Sequence, residues 1–234
     1  MKDKYSSFTA LAEDYVKKFD TQAAVRYLRE YCKAEAEELL ERADELKDQR
    51  FRFVDKWDME PCETPYHLEK MEWDRTPNGD PEWVYMLNRH DYMYKLYLAY
   101  CLTEDTSYVK KLRWYLFHWI QNNEIKEEGT ETTRTIDTGI RCMSWQFLLL
   151  HLTGSHLLSK EETEKIISSI REQYLNMQKR HIRKYTLSNW GVLQTTAICM
   201  GYMLFGEELP QNGLEEWAWK ELETQLELQV MDDG

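Results

Sequence analysis

The sequence is poor in helix breakers, with five prolines and nine glycines among 234 residues. That leaves room for long helices, and no run of alternating strand residues stands out. Cysteine is sparse and badly arranged for bonding. There are five, an odd number, with no CxxC pair, which argues against a disulfide framework and against a zinc site. A chain of this length buries roughly 70% of its unfolded surface and needs no such staple. Basic residues are the minority, 30 Lys and Arg against 42 Asp and Glu, for a net charge of −12. A nucleic-acid partner, which wants a basic face, is therefore not expected. The first residues reach an acidic side chain before any apolar run forms, so no signal peptide is visible and a cytoplasmic location is the expectation. One uncharged stretch, residues 186–206, is long enough for a membrane span. Asn189, Gln194, Thr195, Thr196 and two internal glycines interrupt it. It reads as a buried core helix, and no membrane contact is expected.

Aromatic side chains are what the sequence has in quantity, including nine Trp and fifteen Tyr. Residues 1–49, rich in Ala, Glu, Leu and Lys, read as one or two exposed amphipathic helices. Residues 50–81 carry Phe51, Phe53, Trp57, Tyr66, His67 and Trp73 with a Pro77-Asn78-Gly79 turn. Linkers are not this aromatic, so the segment reads as an ordered loop leading into the next domain. From residue 82 onward, helices apolar on every side alternate with helices apolar on one stripe. Asp80 with Pro81 opens a buried helix reaching about residue 102; an amphipathic helix over residues 107–121 follows. Residues 137–152 are again apolar almost all round. A Ser159-x-x-Glu162 capping box opens an amphipathic partner. Ser188 can cap the uncharged helix, and an acidic amphipathic helix over residues 214–232 closes the series. Such alternation predicts an all-α fold: an array of helical hairpins with inner and outer layers, an incomplete (α/α) toroid.

In such an array the inner helices are parallel, so their N-termini gather at one rim. The polar residues of the inner helices fall near those ends: Asn88, Arg89, His90 and Asp91, then Asp137 and Arg141, then Ser188, Asn189 and Trp190. Converging helix N-termini and two arginines make that rim locally positive despite the net charge. Trp83, Trp145 and Trp190 offer flat surfaces for sugar rings. Each of these residues also has a plain structural reading. A Trp at a helix start is commonly core, Arg89 with Asp91 or Asp137 with Arg141 can form ion pairs, and Asn189 can simply serve a helix end. His151 and His156 lack ligand spacing and carboxylate partners, so no metal or other cofactor is expected.

Four stretches then resemble parts of a known family. Asp80-Pro-Glu-Trp-Val-Tyr-Met-Leu-Asn-Arg-His90 is similar to the heparinase II/III N-terminal pattern, in which a Trp precedes an Asn-Arg pair. Asp137-Thr-Gly-Ile-Arg141 with Trp145, and Leu187-Ser-Asn-Trp190, resemble its next blocks, and Gln229-Val-Met-Asp-Asp-Gly234 resembles the segment before its Glu-x-Ser-x-x-Tyr-His block. The resemblance spans about residues 50–234. It implies an α/α-toroid domain followed by a β-sandwich domain, and a lyase that cleaves uronic-acid polysaccharides such as heparan sulfate or alginate by β-elimination. It further implies that Asn189 neutralises the substrate carboxylate and that Asn88, Arg89 and Arg141 hold acid groups. His90, Trp83, Trp145 and Trp190 complete the expected sugar contacts. The family's proton-transferring Tyr belongs to the block that would follow residue 234, so the 234 residues are expected to bind without eliminating. Three hairpins cannot close a ring, and self-association through the open apolar flank is expected. Two other readings stand beside this one. A glycoside hydrolase would use Asp91 and Asp137 as its carboxylate pair; a non-enzymatic helical binding protein would have no reason to gather Asn and Arg at the helix starts.

Overall fold

The computed structural model describes residues 5–55 and 61–231; Trp57 and residues 232–234 of the closing block lie outside the described residues. Among the described residues there are ten α-helices: α1 (Phe8–Lys18), α2 (Thr21–Tyr31), α3 (Lys33–Lys47), α4 (Pro81–Leu87), α5 (Met93–Thr103), α6 (Thr106–Asn122), α7 (Thr135–Gly154), α8 (Lys160–Lys179), α9 (Asn189–Phe205) and α10 (Leu214–Gln229). The expected alternation is present. α5, α7 and α9 pack side by side as the inner layer, while α6, α8 and α10 each cover the inner helix before them. The helix starts follow the capping chemistry. Asp80 accepts the Glu82 amide ahead of Pro81, and Ser159 and Glu162 form the reciprocal box. Ser188 occupies the cap position of α9 but turns its hydroxyl to Tyr185 O instead of to the helix.

α7 carries the core. Nearly all of its twenty residues are buried, among them Trp145, Leu148, Leu149 and Leu152. Two glycines set its neighbours' distance. A Cβ on Gly139 would stand 3.0 Å from Leu193 O of α9, and one on Gly154 would stand 2.3 Å from Ala12 O of α1. The second contact corrects the reading of the N-terminal segment. It folds as three helices, and α1 is not an exposed appendage: it lies on α7 and α9 with Phe8, Leu11 and Ala12 buried.

Two further differences have clear causes. The aromatic loop contains a two-stranded antiparallel hairpin, β1 (Arg50–Phe53) with β2 (Cys62–His67). Phe51 and Phe53 alternate inward from β1 and meet Trp83 edge-on. The alternation was present but only four residues long. Second, the helix expected from residue 80 to 102 is broken between α4 and α5. The Asn88 side chain donates to Val84 O and Trp73 O, both at 2.8 Å, and accepts from Trp119 Nε1 at 2.8 Å. These bonds compete with continued helix. His90 then takes a left-handed conformation, φ 64°, which turns the chain into α5.

The break is held from the far side by Arg141 of α7. Its guanidinium is fully buried and lies 4.1 Å from the Trp119 ring centre. It donates to Asn88 O (2.7 Å), Thr132 O (3.1 Å), Gln173 Oε1 (2.9 Å) and Thr138 Oγ1 (3.1 Å). Four acceptors from four places in the chain thus converge on one group, with no carboxylate among them. Replacing Arg141 with Ala strands those acceptors and leaves a void. The expected loss is about 3 kcal/mol or more, read as a lower urea midpoint at unchanged slope; an unchanged midpoint would deny Arg141 this role.

Candidate functional site

The N-terminal ends of α4, α7 and α9 meet around a residue that sequence reasoning passed over. Arg134, immediately before α7, donates from Nε to Asp137 Oδ2 and from Nη1 to Glu82 Oε1 at 3.3 Å. Its guanidinium carbon lies 3.3 Å from the Tyr85 ring centre and 5.3 Å from that of Trp190. Burial works against its charge, but the two carboxylates outweigh burial and leave its pKa raised. Trp190 in turn stacks on Tyr185, 5.5 Å between centres and 20° between planes. Arg134, Tyr85, Tyr185 and Trp190 are half-buried, and Asn189 is exposed. An arginine paired with two carboxylates is therefore held between aromatic faces, and Asn189, which precedes Trp190 in the chain, is exposed. The signal for Arg134 was its place just ahead of the apolar run, hidden because that helix starts at Thr135, not Asp137.

The other expected site residues fall on two levels. Arg89 lies just beneath the rim and donates to Asp137 Oδ1 at 2.8 Å. Asp137 is thus gripped by Arg89 and Arg134, not by Arg141, and is fully buried. Asp91 is exposed and accepts the Tyr92 amide. Asp137 is committed to two arginines, which weakens the reading of Asp91 and Asp137 as a hydrolytic carboxylate pair. Deeper still, Asn88, His90, Arg141, Trp83 and Trp145 are sealed in the core. Their side chains lie beneath the rim and form its floor. Asn88 and His90 are turned inward at the helix break, while Trp83 is buried within α4 and Arg141 and Trp145 within α7.

The floor has its own electrostatics. His90 Nδ1 accepts from Trp145 Nε1 at 3.0 Å, and its Nε2 has no hydrogen-bond partner. Trp73 and Trp119 surround the ring, with centres at 5.1 and 5.8 Å. Burial, and then the neighbouring Arg141 charge, hold His90 well below the usual histidine pKa. Burial also pulls Arg141 down to about 10 and pushes the Cys142 thiol up to about 12, so that thiol is inert at neutral pH. Outside the rim, a groove of about 640 Å³, lined among others by Lys70, Glu72, Trp73, Asn122 and Lys126, runs up to Thr132, two residues before Arg134. No group of three or more metal-ligating side chains occurs among the described residues, and no helix there is long and apolar enough to cross a membrane.

A layered array of helical hairpins with inner and outer helices is the architecture of an α/α-toroid domain. The chain belongs to the heparinase II/III N-terminus family, whose pattern matches residues 3–234. Among solved structures it is similar to a heparinase III with methylated lysines (TM-score 0.64, 16% identity, 99% of this chain and 40% of that one). A second heparinase III structure gives 0.59, 16%, 99% and 39%. The chain therefore spans about 40% of the length of these structures. No curated protein matches the sequence.

The buried neutral His90 makes a pH prediction. Its folded pKa lies below the unfolded value near 6.5, so the stability it supports is present above that pH. It is lost as the pH falls below ~6.5, by up to about 1.4 kcal/mol per pH unit. His90→Asn suits the left-handed backbone and keeps an acceptor for Trp145. Urea unfolding at pH 7.5 and 5.5 is expected to show a smaller acid loss in the variant. His118 and His151, also lowered by burial, contribute equally to both proteins. Equal acid losses would place His90's proton elsewhere.

Proposed function

We propose that this chain is the helical substrate-binding part of a polysaccharide lyase acting on uronic-acid-containing chains of the heparan-sulfate or alginate type. The observation that carries the reading is the rim itself: a guanidinium between the Tyr85 and Trp190 rings, with the exposed Asn189 preceding Trp190 at the start of an inner helix. Sugars are bound by flat rings and hydrogen-bonding amides, and an acidic sugar adds a need for a nearby cation. Arg134 meets that need in place of the buried Arg141, and Tyr85, Tyr185 and Trp190 supply the rings.

In β-elimination a base removes the proton alpha to the uronate carboxylate, the electron pair forms the new double bond, and the glycosidic oxygen leaves. That proton is barely acidic until the carboxylate charge is offset as negative charge builds on it. The Asn189 amide can donate there without placing a second charge in the cleft, at the positive end of α9. Proton transfer falls to groups the 234 residues do not supply in this reading, so the chain alone binds acidic oligosaccharide without cleaving it.

The test uses the complete enzyme carrying this chain. Uronic-acid polysaccharide is expected to yield a product that absorbs in the ultraviolet through its new double bond, and Asn189→Ala to slow that reaction by ~10²–10³ while the fold is retained. Reducing ends released without that absorbance would refute the lyase, and near-normal turnover of the variant would remove Asn189. A second expectation concerns association. Leu187, Leu226, Leu228, Val230 and Met231 are 48–79% exposed near the end of α10 and the turn before α9. The 234-residue chain should self-associate at micromolar concentration through this flank. Sedimentation velocity on Leu187→Glu with Leu228→Glu is expected to return a monomer, and an unchanged distribution would locate the contact elsewhere.

A further inference from the structure

Arg134 is not unpaired at the rim. Four charged side chains share one cluster there, Arg89 and Arg134 against Asp137 and Glu82. Two positive and two negative charges cancel, so the cluster as it stands shows an acidic ligand no net charge. Its two carboxylates are not equivalent. Asp137 is fully buried, and each of its oxygens is taken by an arginine. Glu82 is 28% exposed and meets Arg134 through Oε1 alone, at 3.3 Å. Its Oε2 has no hydrogen-bond partner among the described residues. Asp137 therefore holds the guanidinium, and Glu82 only rests on it.

The guanidinium can exchange that partner without moving. Its Nε is fixed to Asp137, and the Tyr85 ring lies against it, 3.3 Å from the guanidinium carbon to the ring centre. Nη1 donates to Glu82 alone, and Nη2 has no acceptor among the described residues. The Nη1–Nη2 end is a fork that can take a carboxylate by two parallel bonds, and Glu82 fills half of it. Glu82 stands in the first turn of α4, where Asp80 accepts its backbone amide at 2.9 Å. The backbone is thus fixed, and side-chain torsions alone suffice to swing the carboxylate out to water.

We propose that Glu82 is the specificity-determining residue of the rim: an internal acid that occupies Arg134 in the free chain and yields to the carboxylate of an incoming uronate. This deepens, and rests on, the reading of the rim as an acidic-sugar site. With Glu82 turned into water, Arg89, Arg134 and Asp137 carry one net positive charge, which the uronate cancels with two bonds where Glu82 made one. A neutral sugar brings no charge in exchange and leaves Glu82 in place. Glu82 therefore weakens every acidic ligand by the cost of its own displacement and keeps uncharged sugars off the cation.

The experiment titrates the 234-residue chain and its Glu82→Gln variant, by calorimetry, with an unsulfated oligouronate and with the same oligomer after reduction of its carboxyls to primary alcohols. Glu82→Gln keeps the side-chain shape and an oxygen for Arg134 while removing the competing charge. The variant is expected to bind the oligouronate about fivefold more tightly than wild type, and the reduced oligomer no more tightly. Sodium acetate, a bare carboxylate, is then added while the Trp190 indole N–H resonance is followed. Its shift should reach half-way at about fivefold less acetate in the variant. Oligouronate binding that is unchanged or weaker in Glu82→Gln overturns the inference, because Glu82 would then be steadying Arg134. An equal gain for the reduced oligomer overturns it too, because shape and not charge would be responsible. If neither oligomer binds either protein while acetate still acts at lower concentration on the variant, the sugar reading fails and the displacement of Glu82 stands. If acetate does not distinguish them either, both fall.

Discussion

A guanidinium without a carboxylate, buried in the middle of a helical layer, is the constraint around which the rest is arranged. Arg141 keeps its charge in a place where burial opposes it, because carbonyls and side-chain oxygens from residues 88, 132, 138 and 173 surround it. Those acceptors belong to the helix break, the approach to α7, α7 itself and α8. None of these segments can shift without leaving a polar group unsatisfied in a dry interior. The same convergence explains why residues 88–90 point inward and why His90 stays neutral beside it.

The rim is organised by a second, shallower device. Asp137 divides its two oxygens between Arg89 below and Arg134 above, so the floor and the surface are coupled through one carboxylate. Arg134 reaches outward from that anchor to Tyr85 and Trp190. An exposed arginine would lose rotamer freedom on binding a sugar acid; this one is already held in place by its carboxylates and ring contacts.

Much of this was legible in the sequence, and what escaped has identifiable causes. The alternation of all-apolar and striped helices announced the two layers, because a helix apolar on every side must be covered on every side. The caps at Asp80 and Ser159 fell where local chemistry put them. The break at residues 88–92 was not legible: nothing local stops a helix there, and the stop comes from Trp73, Trp119 and Arg141, all distant in sequence. That miss displaced Asn88 and His90 from the expected rim to the core; Trp83, Arg141 and Trp145 are buried by the packing of α4 and α7. Asn189 and Trp190 were placed at the surface end of α9 because a polar pair opening an uncharged helix has few other places to be. Arg134 was missed for want of two residues at a helix boundary, the least reliable part of any such reading.

Gly139 shows how far a missing methyl group can reach. With only a hydrogen toward Leu193 O, α7 and α9 touch backbone to backbone near their starts, so their opening residues, Arg134 and Trp190 among them, come within ring-contact range. A side chain at that spot would act as a wedge driven into the hub of a fan, spreading the blades at the edge where Arg134 meets Trp190. The width of the mouth is thus set by an atom the sequence omits.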